Sequence, residues 1–413
     1  MSATKCTQAF LLLLMGLALT FAARAAQAQT ETVLYSFTGG SDGGFPGSRL
    51  TSDGKGNFYG TTEKGALGYG TVFELSPNGG GGWNETTLYS FTDGADGGEP
   101  LRSYVMFDKV GNLYGETYYG GNEAGGCGLS GCGVVFKLSP VGENWTETVL
   151  YSFVGGVDDG SHPGGGLIMD GSGNLYGTTF SGGSTGGGIV FELSPSGGNW
   201  TERVIYTSGT DVYGIGMAGG LTMDGAVTIL GANYDSVFEL SPSGNGGWNQ
   251  TVLHTFTAPV SEDCAALCAV GTPLLDMAGN IYGTTLVGGP WGIVYKLTPG
   301  KKGKWTEKVL HAFGGPHHDG ASPPGALVVD AAGNIYGMSG LGDIDNFEGT
   351  IFELSPPVGT GKYVDTILWN FSASGNGGSD PSGGLIRDSA GNLYGTTIKG
   401  GTGGHGVAFE LTP

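Results

Sequence analysis

The residues best equipped for chemistry in this chain gather late in the sequence. His317, His318 and Asp319 stand together in one irregular stretch, Asp343, Asp345 and Glu348 in the next, and His405 in a third. Imidazole beside carboxylate can ligate a metal or serve as an acid–base pair, so these seven are candidate ligand-binding residues. The alternative is that they are solvated loop residues. Earlier stretches carry the aspartates Asp42, Asp96, Asp158 and Asp159, which with Asp319 would either ring a central opening with acid or simply cap turns. No residue takes a catalytic role, and no metal or cofactor is expected. The sequence holds no phosphate loop, no G-x-S-x-G elbow and no H-E-x-x-H.

Two close cysteine pairs follow, Cys127 with Cys132 and Cys264 with Cys268. Each lies in one glycine-rich or irregular insertion, which favours two local disulfides, although four cysteines allow three connectivities and a zinc site is the alternative. Closing a ring of roughly six residues contributes about 2 kcal/mol by loop entropy.

The elements that position these loops announce themselves by repetition. DGSGNLYGTT begins at Asp170, with near copies from Asp53, Asp108, Asp276, Asp330 and Asp388 and a worn one, DGAVTILGAN, from Asp224. A second phrase of the type VFELSP follows each, and a third, of the type ETVLYSF, comes after a tryptophan-bearing turn. A short apolar run such as GGLIMD precedes each aspartate, so every unit offers four strand-length segments of alternating pattern. The Asp-x-x-Gly-Asn step reads as a hairpin turn, with glycine at positive φ and the aspartate accepting from turn amides. A calcium loop is disfavoured because closely spaced carboxylates are missing. His254 and His311 stand where sibling units have tyrosine, which reads as packing.

Seven units of four strands, at spacings of 52 to 62 residues, are too long for solenoid coils and fit an all-β, seven-bladed β-propeller. The chain opens on an orphan outer strand, ETVLYSF from Glu31, and finishes on a third strand, VAFELTP, so the N-terminal strand is expected to complete the last blade. LYSF, DGSGNLYGTT and VFELSP in fixed order resemble the Gloeo/Verruco (GloVer) tandem repeat of secreted bacterial proteins. That resemblance implies a secreted propeller-type repeat protein and brings no catalytic residue with it. Some members are similar in having a carboxy-terminal sorting anchor, and the end at Pro413 departs from them.

Residues 1–28 combine Lys5, an apolar stretch from Ala9 to Ala23 and the small-residue site Ala26-Gln27-Ala28, the pattern of a cleaved secretory signal. Residues 29–413 are then one propeller domain. With 37 acidic against 17 basic residues, the net charge of −20 argues against nucleic acid. The expectation is a secreted, monomeric binding or structural scaffold without a membrane anchor, whose loop-bearing face recognises an extracellular polysaccharide, surface polymer or protein. The alternative is a carbohydrate-active hydrolase or lyase that uses the histidine and carboxylate sector.

Overall fold

The computed structural model describes residues 29–65, 67–122, 125–209, 217, 219–225, 227–233, 235–256, 271–286, 291–314, 320–340, 348–372 and 376–413. Their strands form seven antiparallel sheets, one for each phrase. In the first, Thr51–Ser52, Phe58–Thr62, Thr71–Pro77 and Trp83–Ser90 pair in chain order. The third sheet divides its inner strand into Gly160–Pro163 and Ile168–Met169, whereas in the seventh the same stretch runs unbroken as Gly378–Arg387.

Burial explains how the sheets assemble. The apolar side chains fall into seven clusters, each drawn from two adjacent sheets. Tyr176 and Val190 of the third sheet pack with Ile229 and Phe238 of the fourth. The ring closes where Leu34, Phe37 and Tyr394 of the seventh meet Phe58 and Phe73 of the first. This is the seven-bladed β-propeller. Its clasp is Thr30–Ser36, paired antiparallel with Val407–Thr412 so that Thr30 faces Thr412 and Ser36 faces Val407.

The recurring phrases interlock. Asp170 Oδ1 accepts the amides of Ser172 at 2.8 Å and Asn174 at 2.9 Å, and its Oδ2 accepts Asn174 Nδ2 at 2.8 Å and the Tyr176 hydroxyl at 3.2 Å. Burial alone would raise the Asp170 carboxyl, but these bonds outweigh it and hold the group below its ordinary value. The same set recurs at Asp108, Asp276 and Asp330. The hairpin reading therefore holds. The glycine after the tyrosine is required by close approach, because a Cβ on Gly60 would lie 2.5 Å from Phe73 Cζ. Phe73 in turn receives Phe37 from the preceding blade edge-on, with ring centroids 5.0 Å apart. One aromatic of each VFELSP phrase thus meets a glycine from its own blade and an aromatic ring from its neighbour, a phenylalanine everywhere except at Phe238, which meets Tyr206. In the worn copy Val227 stands where siblings have the turn glycine, and it keeps the positive φ, 125°.

His254 and His311 are packing residues as expected. Their rings meet Phe256 and Phe313 at 4.8 and 4.7 Å.

Candidate functional site

Five of the seven connections from an outer strand to the next inner strand pass through a step from a variable residue to proline. In these five that residue takes positive φ without being glycine: Phe45 at 58°, Glu99 at 50°, His162 at 58°, Ser322 at 51° and Asp380 at 60°. The cause lies on both sides of the step. The amides of Phe45, Glu99, His162, Ser322 and Asp380 donate to the previous blade, to the carbonyls of His405, Tyr69, Cys132, Trp291 and Glu348, at 2.7 to 2.9 Å. The following proline packs on the glycine that leads into the previous blade's third strand, and a Cβ on Gly133 would lie 2.5 Å from Pro163 Cδ. Such a backbone costs on the order of 1–3 kcal/mol and persists only where the surroundings over-determine it. The backbone is constant while the side chain changes from phenylalanine to glutamate, histidine, serine and aspartate. A fixed frame that varies one side chain per blade suits recognition better than stability.

Inside this annulus the inner strands converge on the axis. Gly165, Gly220, Gly325 and Gly383 line a cavity of about 120 Å³, together with Arg49 and Tyr104. The Arg49 guanidinium lies 4.4 Å from the centroid of the Tyr104 ring. Tyr104 reaches across to the third blade, where its hydroxyl donates to Leu167 O at 3.2 Å and its ring occupies the space a Cβ on Gly166 would need. Glycine at 166 is thus what admits the tyrosine.

Next to the axis, between the second and third blades, a cavity of about 280 Å³ is lined by Leu101, Arg102, Tyr118, His162, Phe180 and Met217. Tyr118 follows the second strand Leu113–Thr117, and its ring lies 4.7 Å from that of His162, at 36°. Tyr119 meets His162 edge-on at 5.7 Å. Burial lowers the His162 pKa, so the imidazole is neutral at pH 7. Burial raises the Tyr118 hydroxyl, the nearby Tyr119 adds to the rise, and Arg102 partly offsets it. Among the described residues no carboxylate stands within ion-pair distance of Arg102. Glu63, which senses the Arg102 charge, is pushed by burial up to about 7. At the same blade boundary Glu116 is fully buried and raised by burial to about 8, against the opposing bonds from Gly166 N and Ser103 Oγ.

The sequence pointed to a different sector. His317, His318, Asp319, Asp343 and Asp345 lie outside the described residues, as do Cys264, Cys268 and the signal-like residues 1–28. Glu348 and His405 are described and occupy equivalent positions, their carbonyls accepting the amides of Asp380 and Phe45 at two successive blade boundaries. The His405 ring meets Phe45 edge-on at 5.3 Å. For Asp42 and Asp96 the turn-capping reading holds in place of a ring of acid. Their carboxylates turn to the outer strands, Asp42 accepting Tyr35 Oη at 3.1 Å and Thr38 N at 2.8 Å, and Asp96 accepting Tyr89 Oη at 3.0 Å and Thr92 N at 3.0 Å. Asp159 accepts Val154 N and Gly160 N, both at 2.7 Å, as a turn cap does. Cys127 and Cys132 form the expected local disulfide. Arg102, Tyr118 and His162 were missed, although one signal was present: with the copies aligned on Pro, His162 is the single imidazole in the position of Phe45, Glu99, Ser322 and Asp380.

A closed propeller with a constant frame and a variable annulus at one mouth defines the class of protein. Residues 216–413 match the family model described as the Gloeobacter/Verrucomicrobia repeat, in agreement with the resemblance of the phrases. Among solved structures it is similar to virginiamycin B lyase from Staphylococcus aureus, at 12% identity and a TM-score of 0.55, covering 93% of this chain and 99% of that one. An ulvan lyase of a polysaccharide lyase family is similar at 12% identity and a TM-score of 0.53, covering 89% and 92%. The extracellular domain of a hybrid two-component system from B. thetaiotaomicron is similar at 12% identity and a TM-score of 0.55, covering 92% of this chain and 39% of that one. At such identities the likeness is one of fold. No curated protein sequence matches. Among the described residues no helix is long and apolar enough to cross a membrane.

Proposed function

We propose that the protein is a secreted binding propeller whose loop-bearing mouth receives an acidic polysaccharide. The observation that carries this reading is Arg102, opening into the cavity between the second and third blades with Tyr118, His162 and Phe180 and with no carboxylate in the lining. In a chain of net charge −20 a cationic, aromatic pocket is an exception to the surrounding field. Guanidinium suits the planar carboxylate of a uronic acid, and aromatic faces suit the apolar face of its ring. A cavity of about 280 Å³ lies at the small end of ligand sites, which fits one sugar unit at a time with the polymer running over the annulus. The signal-like first 28 residues support delivery outside the cytoplasm.

Calorimetric titration with polygalacturonate, alginate and neutral dextran tests the reading. The acidic polymers are expected to bind with salt-sensitive affinity and dextran not to bind. Arg102→Asn, chosen because asparagine tolerates the positive φ of 55° at this position, is expected to weaken binding about tenfold or more. Equal binding of dextran, or unchanged affinity in the variant, would overturn it.

A further inference from the structure

The cavity between the second and third blades holds three groups of complementary chemistry on three separately pinned segments. His162 is fixed by its amide bond to Cys132 O at 2.8 Å and by Pro163 against Gly133. Tyr118 is fixed by its own amide, which donates to Glu99 O at 3.0 Å. Arg102 stands on the inner-strand approach at φ 55°. None of the three side chains is needed to close a blade: siblings of His162 are phenylalanine, glutamate, serine and aspartate, and the equivalents of Tyr118 include Glu63, Phe180 and Ile398. A base, an acid and a fixed cation meeting in one cavity is the constellation for removing a proton beside a carboxylate.

We propose that His162, Tyr118 and Arg102 catalyse β-elimination in a 4-linked polyuronate, a reaction that rests on the reading of this mouth as a site for an acidic polysaccharide. Arg102 pairs with the C6 carboxylate and stabilises the charge that develops when the C5 proton leaves. His162, neutral because burial holds its imidazole down, takes that proton. The C5–H electron pair forms the C4=C5 double bond, the C4–O bond breaks, and the departing glycosidic oxygen takes the proton of the Tyr118 hydroxyl, which burial keeps protonated. The imidazolium then returns its proton to the tyrosinate, and the 4.7 Å between the ring centroids makes that return local. The products are one unsaturated and one ordinary sugar end, and no water, oxidant or metal is consumed.

The test uses the full chain with polygalacturonate and alginate, following the ultraviolet absorbance of the new C4=C5 bond while calorimetry follows binding. The wild type is expected to generate the absorbance. Tyr118→Phe keeps the ring and removes the proton, and His162→Asn keeps a residue that tolerates φ 58°. Both are expected to lose roughly 10²–10⁴-fold in rate, and Tyr118→Phe, which keeps its ring in the cavity, is expected to do so with binding and thermal unfolding unchanged. Binding without new absorbance overturns the elimination and leaves the binding reading standing. Failure to bind either polymer overturns both. Full activity in His162→Asn with loss in Glu63→Gln would transfer the base to Glu63 and overturn the assignment made here.

Discussion

Glu116 Oε2 accepts the amide of Gly166 at 3.2 Å across the boundary between the second and third blades, where Thr61, Thr178 and Thr396 instead donate hydroxyls to their neighbours at 2.9, 3.2 and 2.8 Å. One blade boundary therefore contains a carboxyl where four of its siblings contain a threonine and the other two an alanine, Ala232, and a methionine, Met338. Burial raises that carboxyl from 4.5 to about 8, so the folded protein holds a proton that the unfolded chain releases. The sign follows: stability is undiminished below the unfolded value and falls as pH rises toward 8, by about 1.4 kcal/mol per pH unit. Glu116→Gln mimics the protonated form and should remove that slope. Urea unfolding at several pH values checks it, and parallel curves for the two proteins would refute the argument.

Gly60→Ala should destabilise by about 1–3 kcal/mol, because its Cβ would lie 2.5 Å from Phe73 Cζ. Phe73→Leu, added to it, should recover part of the loss. A double-mutant cycle with no coupling between the two sites would show that the glycine serves something other than the ring.

Val227→Gly should stabilise the fourth blade. Valine at φ 125° is strained, while its siblings Gly173 and Gly279 take φ 87° and 79° without a side chain. Relief of strain exceeds the entropy glycine adds to the unfolded chain, for a net gain of about 1 kcal/mol. Equilibrium unfolding of the variant measures it, and a loss of stability would mean that the valine side chain packs where a glycine cannot.

Cys127→Ser with Cys132→Ser should lower stability by about 2 kcal/mol, the loop entropy of a short ring. The pair also packs against the hydrophobic cluster between the second and third blades, beside Phe153 and Ile189. Loss of uronate affinity out of proportion to stability would show that the bridge also positions His162, whose amide bonds to Cys132 O.

The fold was legible because each phrase states a local rule: an aspartate that closes its own turn, a glycine that clears a phenylalanine, a tyrosine whose hydroxyl returns to the aspartate. Such rules act within one blade and survive repetition. The site is written the other way, in departures from the repeat. His162 stands before a proline where four siblings differ from it and from one another, and Glu116 is the one carboxyl at a position otherwise held by threonine, alanine or methionine. Clustered histidines drew attention to His317 and His318, because adjacency in sequence is visible without a structure. Arg102, Tyr118 and His162 are brought together across a blade boundary, and nothing in their spacing records it.

The clasp has a kinetic meaning. Thr30 finds its partner in Thr412, at the far end of the chain. The first strand of the propeller must wait for the last, so closing the ring is the contact of greatest sequence separation within it and its loop entropy falls due late in folding. Six blades can form by pairing between near neighbours in sequence, but the seventh ties the two ends together. A protein built from repeats of largely local instruction therefore has one obligatory long-range event, which sets the moment at which the propeller becomes a single cooperative unit.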